Sequence, residues 1–234
     1  MASRVIAIDG PAASGKSSTA RAVAQALGFA HLDSGALYRG VTLVALREAV
    51  RSGIGEEELL AEPDAILQNA EDRGLQLLPD GAGFATYLEG EPVDLAIRSR
   101  EVTSHVSAVS AVLIIREWVN QYLRSIVRAG TDVVIDGRDI GTVVFPDADL
   151  KIFLTATPEA RAGRRITQRG KAVDPDRLRS ETEALAARDH ADSTREVAPL
   201  RKAPDAIDLD TTALTFERQV EGIVTLAREL FSAR

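Results

Sequence analysis

Apolar residues along this chain recur with two periods. Arg4-Val-Ile-Ala-Ile-Asp9, Asp132-Val-Val-Ile-Asp136 and Asp149-Leu-Lys-Ile-Phe-Leu154 are short, nearly all-apolar runs, each opening on a charged residue. That is the pattern of strands buried on both faces of a parallel sheet. Elsewhere the apolar positions fall at helical spacing. Ala20, Val23, Ala24 and Leu27 share one face, and Leu37, Val41, Val44 and Ala45 share another that stops near Gly53. After Thr215, a third stripe holds Val220, Ile223, Val224, Ala227, Leu230 and Phe231. A long helical region is predicted from about Glu101 to Ala129, closed by Gly130 and carrying the only tryptophan, Trp118. Thr157-Pro158 and Asp174-Pro175 each pair an N-cap with a first-turn proline. The first opens an Arg-rich helix that stops near Gly170, the second another helix, and Ala206-Ile-Asp-Leu209 reads as a last strand. From Pro63 to Val93 the texture changes to short segments, Leu75–Leu78 and Phe84–Leu88, punctuated by Pro79-Asp-Gly81 and Glu89-Gly-Glu-Pro92. This stretch is predicted to be a small β-rich insertion of hairpin type. Strand and helix otherwise alternate, which predicts an α/β fold, a doubly wound parallel sheet with its ligand at the carboxyl ends of the strands.

At 234 residues and 45% hydrophobic content, the chain suits one α/β domain with insertions, or two small domains. It has no apolar run of membrane-spanning length, and its first strand begins near Arg4, so neither a signal peptide nor a membrane is expected and the location predicted is cytoplasmic. With no cysteine there is neither a disulfide nor a thiolate metal site, and His31, His105 and His190 lack metal-ligand spacing. A net charge of −7 argues against general nucleic-acid binding. The charge is uneven, however. Residues 161–202 hold 11 Lys and Arg against 7 Asp and Glu, a cationic stretch suited to a small polyanion.

The chemistry starts where the first strand ends. Gly10-Pro11-Ala12-Ala13-Ser14-Gly15-Lys16-Ser17 fills every fixed position of the phosphate-binding loop G-x-x-x-x-G-K-[ST], with Ser18 entering the next helix. Gly10 and Gly15 let backbone N–H groups turn inward around phosphate oxygens, and the helix N-terminus adds positive potential. Lys16 is expected on the β- and γ-phosphates and the Ser17 hydroxyl on magnesium. Asp136-Gly-Arg-Asp-Ile-Gly141 follows a buried strand, at the same predicted edge. Two further clusters are Leu32-Asp-Ser-Gly-Ala-Leu-Tyr-Arg39 and Arg188-Asp-His-Ala-Asp-Ser-Thr-Arg195, the latter ahead of Val197-Ala-Pro-Leu200.

Together IDGPAASGKSS, LDSGALYR, DGRDIGTVVFPDADLKIFLTA and R-D-x-x-D-x-x-R before VAPL span Ile8 to Leu200. The set resembles the bacterial cytidylate kinases, the CMP kinase branch of the nucleoside monophosphate kinases. The resemblance implies a P-loop kinase core over residues 1–62, 99–157 and 199–234, a monophosphate-binding insertion over 63–98 and a helical lid over 158–198. It implies ATP as donor, magnesium, and CMP or dCMP as acceptor, in a monomer. By the same resemblance Ser34, Ser107, Arg116 and Asp139 surround the cytosine, and Arg188 and Asp192 the ribose. Arg39, Arg138 and Arg195 take the acceptor phosphate, and Lys16, Arg138, Arg188 and Arg195 form the catalytic set. Where the family often carries Pro-x-Val-Arg, this chain reads Leu113-Ile-Ile-Arg116. Among Arg161, Arg164, Arg165 and Arg169, some are expected to reach ATP from the lid. The rivals are a kinase for UMP, AMP or shikimate on the same core, and an ATPase switch regulated by a partner protein. The guanine-specifying N-K-x-D run is missing.

Overall fold

A computed structural model describes residues 3–53, 55 and 61–232; residues 56–60, within the expected first core segment 1–62, lie outside the described residues. Strand β1 (Val5–Asp9) leads through the phosphate loop to α1 (Lys16–Leu27), then come β2 (Ala30–Asp33) and α2 (Ser34–Ser52). Next are α3 (Pro63–Asp72), β3 (Gln76–Asp80), β4 (Gly83–Leu88), β5 (Glu91–Pro92), α4 (Arg100–Val109) and α5 (Leu113–Arg128). Strand β6 (Val133–Gly137) runs into a wide π-type turn, Ile140–Val144, and β7 (Leu150–Thr155) follows. Helices α6 (Pro158–Gln168) and α7 (Pro175–Thr194), strand β8 (Ile207–Asp210) and α8 (Phe216–Ser232) complete the chain.

The strands form one sheet in the order β3-β4-β2-β6-β1-β7-β8, with β5 beside β4. Pairings from β2 to β8 are parallel and the β3–β4–β5 edge is antiparallel. Alternation along β1 divides the core between the two faces. Val5 and Ala7 pack with Leu37, Val41, Val119 and Leu123 from α2 and α5. Ile6 and Ile8 pack with Ala20, Val23, Ile223 and Ala227 from α1 and α8. Register brings Asp9 level with Gly137, and Asp33 level with Asp136, so acidic strand ends gather at the carboxyl edge.

Four features depart from the sequence reading. β2 is an additional strand, only four residues long. α3 precedes the expected hairpin, so residues 63–98 hold a helix as well as strands. The hairpin also joins the main sheet, where Gly83 pairs with His31. The long helical region is two helices bent by 103° about Ser110–Val112. That break is held by Arg116, which donates from Nη1 to the freed Ser110 carbonyl at 2.9 Å. Among the described residues no single helix is long and apolar enough to cross a membrane.

Candidate active site

The phosphate loop is fixed by its neighbours before any ligand is considered. A Cβ at Gly10 would lie 2.1 Å from the Leu154 carbonyl oxygen of β7, so only glycine lets the chain leave β1 there. Ala13 (φ 59°) and Gly15 (φ 92°) are left-handed, which turns successive N–H groups to one side ahead of α1. Lys16 is buried, its Nζ donating to Pro11 O at 2.7 Å and Ser14 Oγ at 3.4 Å. Burial, and after it the Arg138 charge, pushes its ammonium well below the usual lysine range. An anion in the loop would reverse that shift.

Three carboxylates organise the floor. Asp9 accepts N–H from Ile140 at 2.9 Å and Gly141 at 2.7 Å, tying β1 to the loop after β6. Burial raises its carboxyl to about 6 despite those two bonds. Burial would also raise Asp136, but hydrogen bonds from His31 Nε2 (2.8 Å) and Ser17 Oγ (2.5 Å) outweigh it and hold the carboxyl below its ordinary value. Asp139 sits between Arg116, whose Nη2 donates to its Oδ2, and Arg195, 3.4 Å away. Arg116 lies over the Tyr38 ring, 5.3 Å from its centroid, and burial raises the Tyr38 phenol.

Arginines from three elements converge above this floor. Arg39 donates to Thr103 Oγ1 at 2.9 Å and to the Ile97 carbonyl at 3.3 Å. Arg138 Nε meets Asp192 Oδ2 at 2.9 Å. Arg188 has a buried Nε without a partner, and burial, reinforced by Arg138, lowers its guanidinium to about 10. Like charges are thus held together with an unmet donor, an arrangement that a polyanion would relieve. Arg195 donates from Nε to Ala198 O at 2.7 Å, and the Ser34 hydroxyl donates to the Asp136 carbonyl at 2.7 Å.

A cavity of about 690 Å³ joins these groups. Ala12 to Ser18 line one end, and Ser34, Arg39, Ser107, Arg116, Arg138, Asp139, Arg188, Asp192 and Arg195 line the other. Of the expected site residues, Gly10 and Pro11 stay outside it: Gly10 packs on Leu154, and the Pro11 carbonyl holds Lys16. From α6 and its C-cap, Arg164, Arg165 and Arg169 line the cavity, whereas Arg161 does not. Its buried guanidinium donates to Ala12 O at 2.8 Å and to Asp189 Oδ2 at 2.5 Å, while Asp189 Oδ1 accepts the Ala12 N–H at 2.9 Å. Arg161 therefore braces the loop instead of facing the ligand space. Sequence reasoning gave no role to Asp189, His31 or Asp9. Asp189 lay within a recognised cluster; the other two are defined by partners distant in sequence. No group of three or more His, Asp or Glu able to hold a metal occurs among the described residues. A cation at Ser17, an exposed residue that lines the cavity, would take its remaining ligands from phosphate and water.

A family model described as cytidylate kinase matches residues 6–229. The chain is 47% identical over 223 residues to a cytidylate kinase of Streptomyces griseus subsp. griseus, covering 95% of this chain and 91% of that one. It is 43% identical over 237 residues to the cytidylate kinase of Chloroherpeton thalassium, covering 97% and 94%. To that of Streptomyces avermitilis it is 44% identical over 231 residues, covering 98% and 95%.

Proposed function

The chain belongs to the cytidylate kinase family, and from that premise we propose how its residues divide the work of moving the γ-phosphoryl group of ATP to CMP. The protein is an ATP-dependent phosphotransferase acting on CMP; on this reading dCMP is accepted as well. The observation that carries the assignment of roles is the single cavity with the phosphate loop at one end and the Arg39, Arg138 and Arg188 group with the Arg116–Asp139 pair at the other.

The donor lies on Gly10–Ser18, with backbone N–H groups and Lys16 on its phosphates. Ser17 would hold magnesium, which would supply charge neutralisation at the donor phosphates. The acceptor phosphate, with a second pKa of about 6, already carries the attacking oxygen ionised near neutrality, so no general base is needed. That oxygen forms a bond to the γ-phosphorus as the bond to the bridging oxygen breaks, and ADP departs with the electron pair. Lys16, Arg138, Arg188 and Arg195 meet the charge spread over the transferring group. Asp139 accepts from the cytosine amino group beside Ser34, Ser107 and Arg116, and Asp192 with Arg188 holds the ribose. Uracil would set a carbonyl oxygen against the Asp139 carboxylate, an electrostatic penalty that favours cytosine. The lid excludes water, the competing acceptor. We take the working form to be a cytoplasmic monomer without a nucleic-acid partner, in keeping with a net charge of −7.

ADP release from MgATP with CMP, dCMP, UMP and AMP as separate acceptors, beside an acceptor-free control, tests this. Fast turnover with the two cytidylates alone is expected, and Lys16→Ala should lower kcat by roughly 10²-fold or more. Hydrolysis indifferent to the acceptor would contradict the arrangement at the Asp139 end.

A further inference from the structure

His31 is a buried imidazole on β2 that stands outside the cavity and touches none of the groups assigned to substrate. Its Nε2 lies 2.8 Å from Asp136 Oδ1, while Asp136 Oδ2 accepts from Ser17 Oγ at 2.5 Å. The same residue's carbonyl takes the Ser34 hydroxyl at 2.7 Å, so Asp136 is anchored through backbone and side chain together. An ionised carboxylate only accepts, and the imidazole must therefore carry its proton on Nε2. With one oxygen engaged by His31, the carboxylate plane is set and the other oxygen is aimed at Ser17. Ser17 has one hydroxyl proton, and Asp136 takes it. Both hydroxyl lone pairs are then turned away from the carboxylate, free for a cation on the loop side. Close approach of β4 fixes the backbone that presents the ring: a Cβ at Gly83 would lie 3.0 Å from the His31 carbonyl oxygen.

We propose that His31 is a positioning residue for cation-dependent ATP binding, acting through Asp136 on the Ser17 hydroxyl. The inference rests on the reading of Ser17 as the magnesium ligand. Its signature is an effect confined to the magnesium-dependent part of nucleotide affinity, which a general loss of packing would not produce.

Calorimetric titration with a non-hydrolysable ATP analogue, in magnesium and in EDTA, separates the two. Wild type is expected to bind more tightly in magnesium. His31→Leu should lose about 3- to 10-fold of that magnesium-dependent gain, with affinity in EDTA and for CMP within about twofold of wild type. His31→Gln, whose amide nitrogen reaches the place of Nε2, should restore most of it. If magnesium gives wild type no gain, the Ser17 reading falls and the proposal with it. A gain kept intact in His31→Leu overturns the proposal alone, as does an equal loss in magnesium and EDTA. Should His31→Leu fail to fold, imidazole ¹⁵N spectra of wild type decide, since the chain has only three histidines to assign. A protonated Nε2 whose shift moves when magnesium joins the analogue complex supports the proposal; an Nε2 without a proton, or one indifferent to magnesium, overturns it.

Discussion

Asp9 shows how a single side chain can tie the phosphate loop to the loop after β6. It closes β1, immediately before Gly10, and its two oxygens accept the N–H groups of Ile140 and Gly141 just beyond Asp139. Burial raises its carboxyl from 3.8 to about 6, so the folded chain holds the proton more tightly than the unfolded chain. Stability from this group is therefore greatest in acid and falls as pH rises from about 4 to 6, then levels off, a change of at most about 3 kcal/mol. Asp9→Asn cannot titrate there. The melting temperature of wild type relative to this variant should drop by several degrees across that window and hold steady above it. A difference independent of pH would mean that Asp9 keeps one protonation state throughout. Residues of this kind were not legible in the sequence, because Asp9 meets its partners 131 and 132 positions away and His31 meets Asp136 across 105. Gly10, Lys16 and Ser17 were legible because the loop's backbone geometry restricts which residues can stand there, whatever the distant chain does.

Helix α7 explains why part of the site escaped pattern reading at the level of elements. Leu178 and Leu185 on its inner side pack with Ala12 and Ala162, but Arg188, Asp189 and Asp192 continue that side, so the hydrophobic stripe stops halfway along the face. The caps were readable: Thr157 Oγ1 accepts from Ala160 N at 3.3 Å, and Asp174 Oδ1 from Arg177 N at 2.9 Å. The break between α4 and α5 was not, since the Arg116 guanidinium that holds it reaches back from the following helix. Asp189 from α7 and Arg161 from α6 grip both backbone polar groups of Ala12. Asp189→Ala leaves the Ala12 N–H and the Arg161 guanidinium without their carboxylate, and the loop loses its brace. We expect the KM for ATP to rise about tenfold, with the KM for CMP within about twofold, in steady-state assays varying each substrate. Equal increases for both substrates would indicate that the whole lid has shifted.

Taken as one object, the molecule is an acidic body with total charge −7, with Lys16 and several arginines lining a shared cleft. Its two ends are bridged by one helix, for α7 carries Asp189 to the Ala12 N–H and, at its C-cap, Arg195 to Asp139. On the proposed assignment, an acceptor that orders the Arg188, Asp192 and Arg195 end of this helix also stabilises Asp189, which braces the phosphate loop. Binding of the two nucleotides should therefore be coupled, and the coupling must be reciprocal. CMP is expected to tighten a non-hydrolysable ATP analogue by about three- to tenfold, and the analogue to tighten CMP by the same factor. Titrations of each ligand with and without saturating amounts of the other give both factors. In Asp189→Ala both should fall towards one while the affinity for CMP alone is kept, because the acceptor contacts remain and only the bridge to Ala12 is cut. Coupling of full size in that variant would show that the ends communicate through the floor, along the Asp9 tie between β1 and the Asp139 loop, and not through the lid.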